Sequence, residues 1–391
     1  MKKIKNETGS ITTMVTVTII FFITILSSAY MLMAVQRKAQ LKSQLSTREA
    51  YQEEIDNANE IYYTLIGDDK SDVNEVPIPD GFVYVGGTRD SGLVISDNNA
   101  DKEKYKGQTT VGTDLVGNQF VWIPVDSITD YKRTAYSTQV ASGITDTATN
   151  SEQIKYSSSR DYYFTEALPA DEKTSVETNK GFYIGRYEAG DKESTEAKTL
   201  RKYRASTDNT ITVKAGQAPY NHVTRTQAKS LAEGFSTKQG YTSVKSKLIS
   251  SYAWDTAIAF IQKTNSDYGN SSEEGNYIDT TFTYTGIADT EKNKQTKANG
   301  TYTLIPTGQT TAVNNIYDMG GNALEWTTES YSNTFYPYTY RGGSYNYSFA
   351  VDPAGDRLFR FGRCGRYPRV QVHFIFVDLS PGFSELKFSR N

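Results

Sequence analysis

The side chains best suited to recognising a ligand crowd into one C-terminal stretch, Tyr345 to Asp378. Tyr345, Tyr347, Phe349, Phe359, Phe361, Tyr367, Phe374 and Phe376 offer large contact area at low rotamer cost. Arg357, Arg360, Arg363, Arg366 and Arg369 recur at every third position. Gly362, Gly365 and Pro368 argue against a helix, so these arginines are expected along one edge of an extended loop, suited to carboxylate or phosphate groups. Chance explains the spacing equally well. The expected contact set is Tyr345, Tyr347, Phe349, Asp352, Arg360, Phe361, Arg363, Arg366, Tyr367, Arg369 and His373. Catalytic groups are scarcer. The single cysteine, Cys364, excludes a disulfide framework and a cysteine zinc cluster. His222 and His373 lie too far apart for a local metal motif, and no Ser-His-Asp arrangement is readable. No enzymatic activity is expected.

Immediately before this stretch stand Asp318-Met319-Gly320-Gly321-Asn322-Ala323-Leu324-Glu325-Trp326 and Arg341-Gly342-Gly343-Ser344-Tyr345. Together they resemble the signature of the formylglycine-generating-enzyme (sulfatase-modifying factor) family, a branch of the C-type-lectin-like fold. The resemblance implies a pair of catalytic cysteines after Arg-Gly-Gly-Ser, but those places hold Tyr347 and Asp352, which supply neither a thiolate nor a soft metal ligand. It also implies a structural Ca²⁺ held by Asp318 and Glu325 side chains and by the Gly321 and Ala323 carbonyls. A hard cation favours such oxygens, and Gly320 and Gly321 permit a tight wrap. The alternative is a rigid turn under Trp326, with Glu325 accepting backbone N–H groups.

The elements that would position these residues follow in order. Phe82–Val85 and Phe120–Val125 read as strands, and Asp126–Asn179 as a polar surface insertion containing a small hairpin. Gly181–Glu188 resembles the family's tyrosine-glutamate strand. Pro219–Phe235 and Leu248–Gln262 resemble its two helices. The implied fold class is α+β: a C-type-lectin-like domain over residues 81–391, with few helices and long irregular loops.

The N-terminus differs in kind. Ile11 to Val35 carries no charged side chain and as a helix would extend roughly 37 Å, more than a hydrocarbon core of ~30 Å. Lys2, Lys3 and Lys5 precede it, so the basic leader 1–10 is expected in the cytoplasm and the rest outside. Ser27-Ser28-Ala29 could pass for a signal-peptide cleavage site, but the run exceeds a usual h-region of ~7–15 residues. Residues 36–67 lack Pro and Gly up to Ile66 and read as a stalk helix, followed by a linker at 68–80. A helix that leaves the membrane and continues outward resembles a type IV pilin stem. Gly9 before Ser10 matches a leader cleavage site, although Met14 stands where such stems carry an acid.

Composition shifts once more at the end. From Ser344 to Ser384 there is no Lys, Glu, Met or Trp, and Gln371 is the lone Gln. Random replacement of the adenines in Asn codons AAC or AAT cannot yield any of those five residues. This resembles the adenine-directed variation imposed by diversity-generating retroelements, with 345–378 as the variable segment. Arg341–Ser344, Pro353-Ala354, Arg357 and Gly382-Phe383 would then be its fixed frame. Gln371 and Ser384 depart from that pattern, and a buried strand would also exclude Lys and Glu. With a net charge of −3, bulk charge names no partner and no nucleic acid is expected. The reading is a membrane-anchored, surface-displayed adhesin or receptor for an extracellular protein or glycan, anionic ligands included. The alternatives are a pilin-like tip subunit in a pilus-like assembly, and an oxidoreductase related to the formylglycine generators.

Overall fold

In a computed structural model, the described residues are 14–23, 26, 31, 33, 36–38, 76–136, 153–157, 160–192, 211–270, 272–286, 294–335, 337–360, 370–372 and 374–379. The chain divides into two units, Met1–Lys70 and Ser71–Asn391. In the first, residues 14–23 are helical with exposed side chains. Among the described residues no helix is long and apolar enough to cross a membrane. About half of the expected anchor at 11–35, and the whole stalk beyond residue 38, lie outside the described residues.

The second unit is a mixed α+β structure. In chain order it contains β1 (Val83–Gly86), β2 (Val94–Ser96), β3 (Gln119–Pro124), β4 (Gln153–Ser157), β5 (Arg160–Thr165), α1 (Ala170–Asn179) and β6 (Gly181–Gly185). Three short strands follow, β7 (Gly190–Asp191), β8 (Ile211–Thr212) and β9 (Ala218–Pro219), then α2 (Arg225–Gln239), β10 (Val244–Leu248) and α3 (Ser251–Gln262). The remainder is β11 (Phe282–Thr285), β12 (Lys294–Lys297), β13 (Leu324–Tyr331), β14 (Tyr338–Arg341), β15 (Leu358–Arg360), β16 (Val370–Val372) and β17 (Phe374–Leu379). One six-stranded sheet runs β1-β2-β3-β6-β17-β10, and a second runs β15-β14-β13-β5-β4 with β16 beside β13. Only the β13–β16 pair is parallel among the described ladders.

Helix α3 packs against β3 of the first sheet and β13 of the second. Its sequence explains that position. Ser250 caps it by accepting the Ala253 N–H at 3.1 Å, and Tyr252, Ala253, Trp254, Ala257, Ile258, Phe260 and Ile261 are all buried. A helix apolar nearly all round belongs inside a core rather than on its surface. Helix α2 is amphipathic by contrast. It opens on a reciprocal Thr224–Gln227 capping box and ends at left-handed Gly240. Its Ala228, Leu231, Ala232 and Phe235 face the core.

The 126–179 stretch is more than the expected surface insertion. It does contain the hairpin β4–β5, but also helix α1, and Tyr131, Arg133 and Tyr136 are buried. Helix α1 escaped notice because only Glu172 and Val176 are buried along it, too few to print a period. The core also begins earlier than Gly81. Val76 is buried in the aromatic cluster of Phe82, Phe120 and Trp122, and Tyr183 donates to the Pro77 carbonyl at 3.0 Å.

Candidate binding surface

Two buried arginines fix the start of the C-terminal segment. Arg341 ends β14, pairs with Asp255 of α3, and donates to the carbonyls of Asp356 (2.8 Å) and Gly355 (3.0 Å). Arg357 pairs with the other oxygen of Asp255 and donates to both oxygens of Glu329, at 2.9 and 3.2 Å. Arg133 completes the set on Glu329, and all five side chains are wholly buried. The loop from Gly342 to Asp356 is thus closed at its base by charge-assisted bonds to one helix and one strand. Trp254 adds a bond to the Ala354 carbonyl at 2.9 Å. Two guanidiniums and a third hold the Glu329 carboxyl down at about 2, Arg357 being the strongest, against the opposing effect of burial.

Within this frame the Arg-Gly-Gly-Ser turn has a stereochemical reason. Gly342 and Gly343 have φ of 94° and 68°, and a Cβ on Gly343 would strike the Asp352 carbonyl. Gly343→Ala is therefore expected to cost about 1–3 kcal/mol or more, read as a lower midpoint in chemical unfolding. A loss below 0.5 kcal/mol would mean that the loop relaxes freely.

The loop then docks on the segment 276–280. The Ile278 N–H donates to the Tyr347 carbonyl at 3.0 Å, the Ser348 hydroxyl donates to Asp279 at 2.6 Å, and the Phe349 ring meets Tyr277 edge-on at 6.1 Å. Lys297 holds that platform through the carbonyls of Tyr277 and Thr280, the latter at 2.6 Å. Burial lowers its ammonium to about 8. Asp279 and Lys297 gave no signal in the sequence, since neither sits in a recognisable motif.

The expected contact residues divide. Tyr347 is exposed, Val351 beside it is 63% exposed, and Phe349 is half-buried. Tyr345 and Asp352 are corrected: both are buried, Tyr345 among Ala218, Leu304 and Ala323. Tyr345 faces inward because its N–H donates to the Asn322 carbonyl at 3.2 Å, which turns the chain over that loop. Arg357, read both in the arginine row and in the fixed frame, serves the buried network and not a ligand-facing row. Arg360 lies on β15, whose backbone pairs with β14 at Tyr338. Phe359 of the same strand stacks on Tyr331 at 4.3 Å. Phe361, Arg363, Cys364, Arg366, Tyr367, Arg369 and His373 lie outside the described residues. Strands β16 and β17 flank His373; β16 lies beside β13, and β17 is inserted between β6 and β10 of the other sheet. His222 is buried with φ of 61°.

Asp318, Gly321, Ala323 and Glu325 lie in one buried turn. Asp318 (φ 61°) accepts the Gly308 N–H at 2.7 Å and the Thr310 hydroxyl at 2.9 Å, and Gly321 has φ of 72°. Asn322 is the node of this turn. Its amide meets the Ile305 backbone at both ends, the Asn276 amide at 2.9 Å, and the Glu188 carboxylate. Trp326 donates to the Val223 carbonyl at 2.9 Å. Glu188 is a residue the sequence did not nominate. Its carboxyl is pushed well above the ordinary range by burial, and further by the charges of Asp318 and Glu325. Its Oε2 has no hydrogen-bond partner among the described residues. Among those residues no group of three His, Cys, Asp or Glu is placed to hold a metal ion.

The sequence matches no protein-family profile and no curated protein. Among solved structures the chain is similar to that of CarF, at 14% identity over 51% of this chain and 87% of that one, with a TM-score of 0.32. It is also similar to Treponema denticola variable protein 1, at 14% identity over 68% of this chain and 98% of that one, with a TM-score of 0.33.

Proposed function

We propose that the chain is a ligand-binding protein of C-type-lectin-like type, displayed on the outer side of a membrane by its N-terminal segment. Its binding surface is the 345–378 segment, diversified by adenine-directed mutation, and it has no enzymatic role. The observation that carries this reading is the separation of frame from loop. Arg341 and Arg357 are locked by buried bonds and Gly343 by its left-handed turn, while Tyr347 and Val351 between them face solvent. Residues of the first kind tolerate no variation, and those of the second tolerate nearly all of it. Tyr345 and Asp352 support the surface from beneath; Arg360, Phe361, Arg363, Arg366, Tyr367, Arg369 and His373 complete it. The partner is an extracellular protein or glycan, anionic groups favoured by the arginines. Sequencing the 3′ end of the gene across isolates tests this. Substitutions confined to codons 345–378, at adenines of a nearby template and sparing Arg341, Gly343 and Arg357, are the expected result. An invariant 3′ end with no template would refute diversification.

The same reading includes a structural Ca²⁺ at the 318–325 turn, with Asp318 and Glu325 supplying carboxylate oxygens and Gly321 and Ala323 their carbonyls. The donor set is all oxygen, as a hard cation requires, and a cation there would relieve the crowding of Glu188, Asp318 and Glu325. Chelation with EGTA should lower the melting temperature of the chain by several degrees, restored by added Ca²⁺. An unchanged melting temperature would leave the turn held by its hydrogen bonds alone.

A further inference from the structure

Four consecutive amides of the C-terminal loop, those of residues 349–352, converge on Ser348 and Asp279. The Ser348 hydroxyl donates its one proton to the Asp279 carboxylate at 2.6 Å and accepts the Ala350 N–H at 3.2 Å. The other Asp279 oxygen accepts the Phe349 N–H at 3.3 Å. The Ser348 carbonyl takes the N–H groups of Val351 and Asp352, both at 3.0 Å. Residues 348–352 thus form a closed turn standing on a carboxylate 69 residues away in sequence. We infer that Asp279 is a positioning residue of the binding surface, and that Ser348, although inside the variable segment, is its required partner and not a contact residue. This rests on the reading of 345–378 as that surface.

Asp279 is itself held from the other side. Its carbonyl accepts the Asn299 amide at 3.0 Å, and the Ile278 carbonyl accepts the Gly300 N–H at 2.7 Å. Lys297 of β12 donates to the carbonyls of Tyr277 and Thr280 on either flank. A carboxylate anchored in this way, with one oxygen for each of two neighbouring donors, fixes the direction of the turn as well as its place. What the turn presents follows from that direction. Tyr347, Ala350 and Val351 are exposed, Ser348 and Phe349 are half-buried, and Asp352 is buried. The chemistry allowed at 348 is narrow. Of the residues reached by replacing adenines in an Asn codon, Ser and Thr keep both hydroxyl bonds. Ala removes both, and Asp sets a second carboxylate against Asp279.

Amide hydrogen exchange of the full chain tests the clamp without any ligand. Asp279→Ala and Ser348→Ala should each speed exchange over residues 349–352 by about tenfold or more, as expected for losing a charge-assisted hydrogen bond. The core amides of β3 should keep the parent's rates, which a general loss of stability would not allow. The double variant should fall well short of the product of the two effects, because both act on one contact. Ser348→Thr should match the parent, and Ser348→Asp should exchange at least as fast as Ser348→Ala. Unchanged rates over 349–352 in Asp279→Ala, equal acceleration in β3, or a full product in the double variant would each overturn the clamp. Gene sequences across isolates supply the functional arm. Ser or Thr retained at codon 348 while 347, 350 and 351 vary is the expected pattern; free variation at 348, Asp included, would overturn the role of Ser348 and leave diversification standing. The exchange result does not depend on whether the 3′ end varies, so the clamp holds or fails separately from the reading of the segment as diversified.

Discussion

Asp255→Ala will destabilise the domain by about 3–5 kcal/mol, the usual cost of removing one partner from a buried ion pair. The reason lies in what it strands. Arg341 and Arg357 each lose a buried carboxylate oxygen, and neither guanidinium can shed its charge or reach water. Arg357 keeps Glu329, whereas Arg341 keeps the Ser251 hydroxyl and two carbonyls but no hydrogen-bonded anion among the described residues. For a domain of this size the loss corresponds to a fall in melting temperature of roughly 10 °C. The Arg357→Met variant should cost a similar amount, and the double variant with Asp255→Ala much less than the sum, because both act on one network. Because these bonds also close the base of the 342–356 loop, the proposed ligand binding there should fall even where the fold survives. Thermal unfolding of the chain and its variants gives the result. A loss under 1 kcal/mol for Asp255→Ala would mean that the network is rebuilt by water.

Why some of this was legible in the sequence, and some not, follows from the kind of constraint each residue satisfies. Gly342, Gly343, Gly321 and Asn322 occupy left-handed backbone, and Trp326 and Asn322 bond carbonyls at fixed positions. Such demands admit one or two residue types, so the motifs around them stand out without any contact being known. Strands β3 and β6 and helices α2 and α3 were legible for a different reason, their apolar runs and caps being local. The network was not. Asp255 lies 86 residues from Arg341 and 102 from Arg357, and nothing near either arginine announces a carboxylate. Arg357 therefore read both as part of a fixed frame and as the first member of a row of five, and only its burial decides for the frame.

The side on which Tyr345 and Asp352 fall was illegible for a related reason. In an irregular loop no period assigns faces, and only long-range bonds such as Tyr345 to Asn322 decide direction. Composition could say that the segment avoids Lys and Glu, but an exposed diversified loop and a buried strand both do so. Both kinds of stretch occur within the one window: Tyr347 and Val351 are exposed, while β17 sits inside a sheet.

Stability will be greatest near pH 5 and fall on both sides, with the larger loss on the alkaline side. The acid limb belongs to Glu329. Its folded value of about 2 lies below the ordinary 4.5, so its contribution is complete above 4.5 and disappears as pH falls toward 2. The alkaline limb belongs to carboxyls displaced the other way. Glu166 stands at about 8 and Asp356 at about 7, each raised first by burial, then by the charge of Glu329 and Asp352 respectively. Glu172 and Glu188 are raised as well. A carboxyl raised in the folded state favours folding while it stays protonated, and that advantage disappears as pH rises from about 5 through 7 and 8. After allowance for solvent at the partly exposed Glu166 and Asp356, the loss between pH 5 and 8 is roughly 2–5 kcal/mol. Urea unfolding at half-unit steps from pH 3 to 9 measures it directly. Glu166→Gln should flatten the profile between about pH 4.5 and 8 and Asp356→Asn between about pH 4 and 7, each raising stability at pH 8 relative to the parent. A profile flat between pH 5 and 8 would mean these carboxyls ionise freely in the folded chain. Calcium gives the last discrimination. If the 318–325 turn holds the ion, saturating Ca²⁺ should remove the share of the alkaline loss due to Glu188 and leave those of Glu166 and Asp356 untouched.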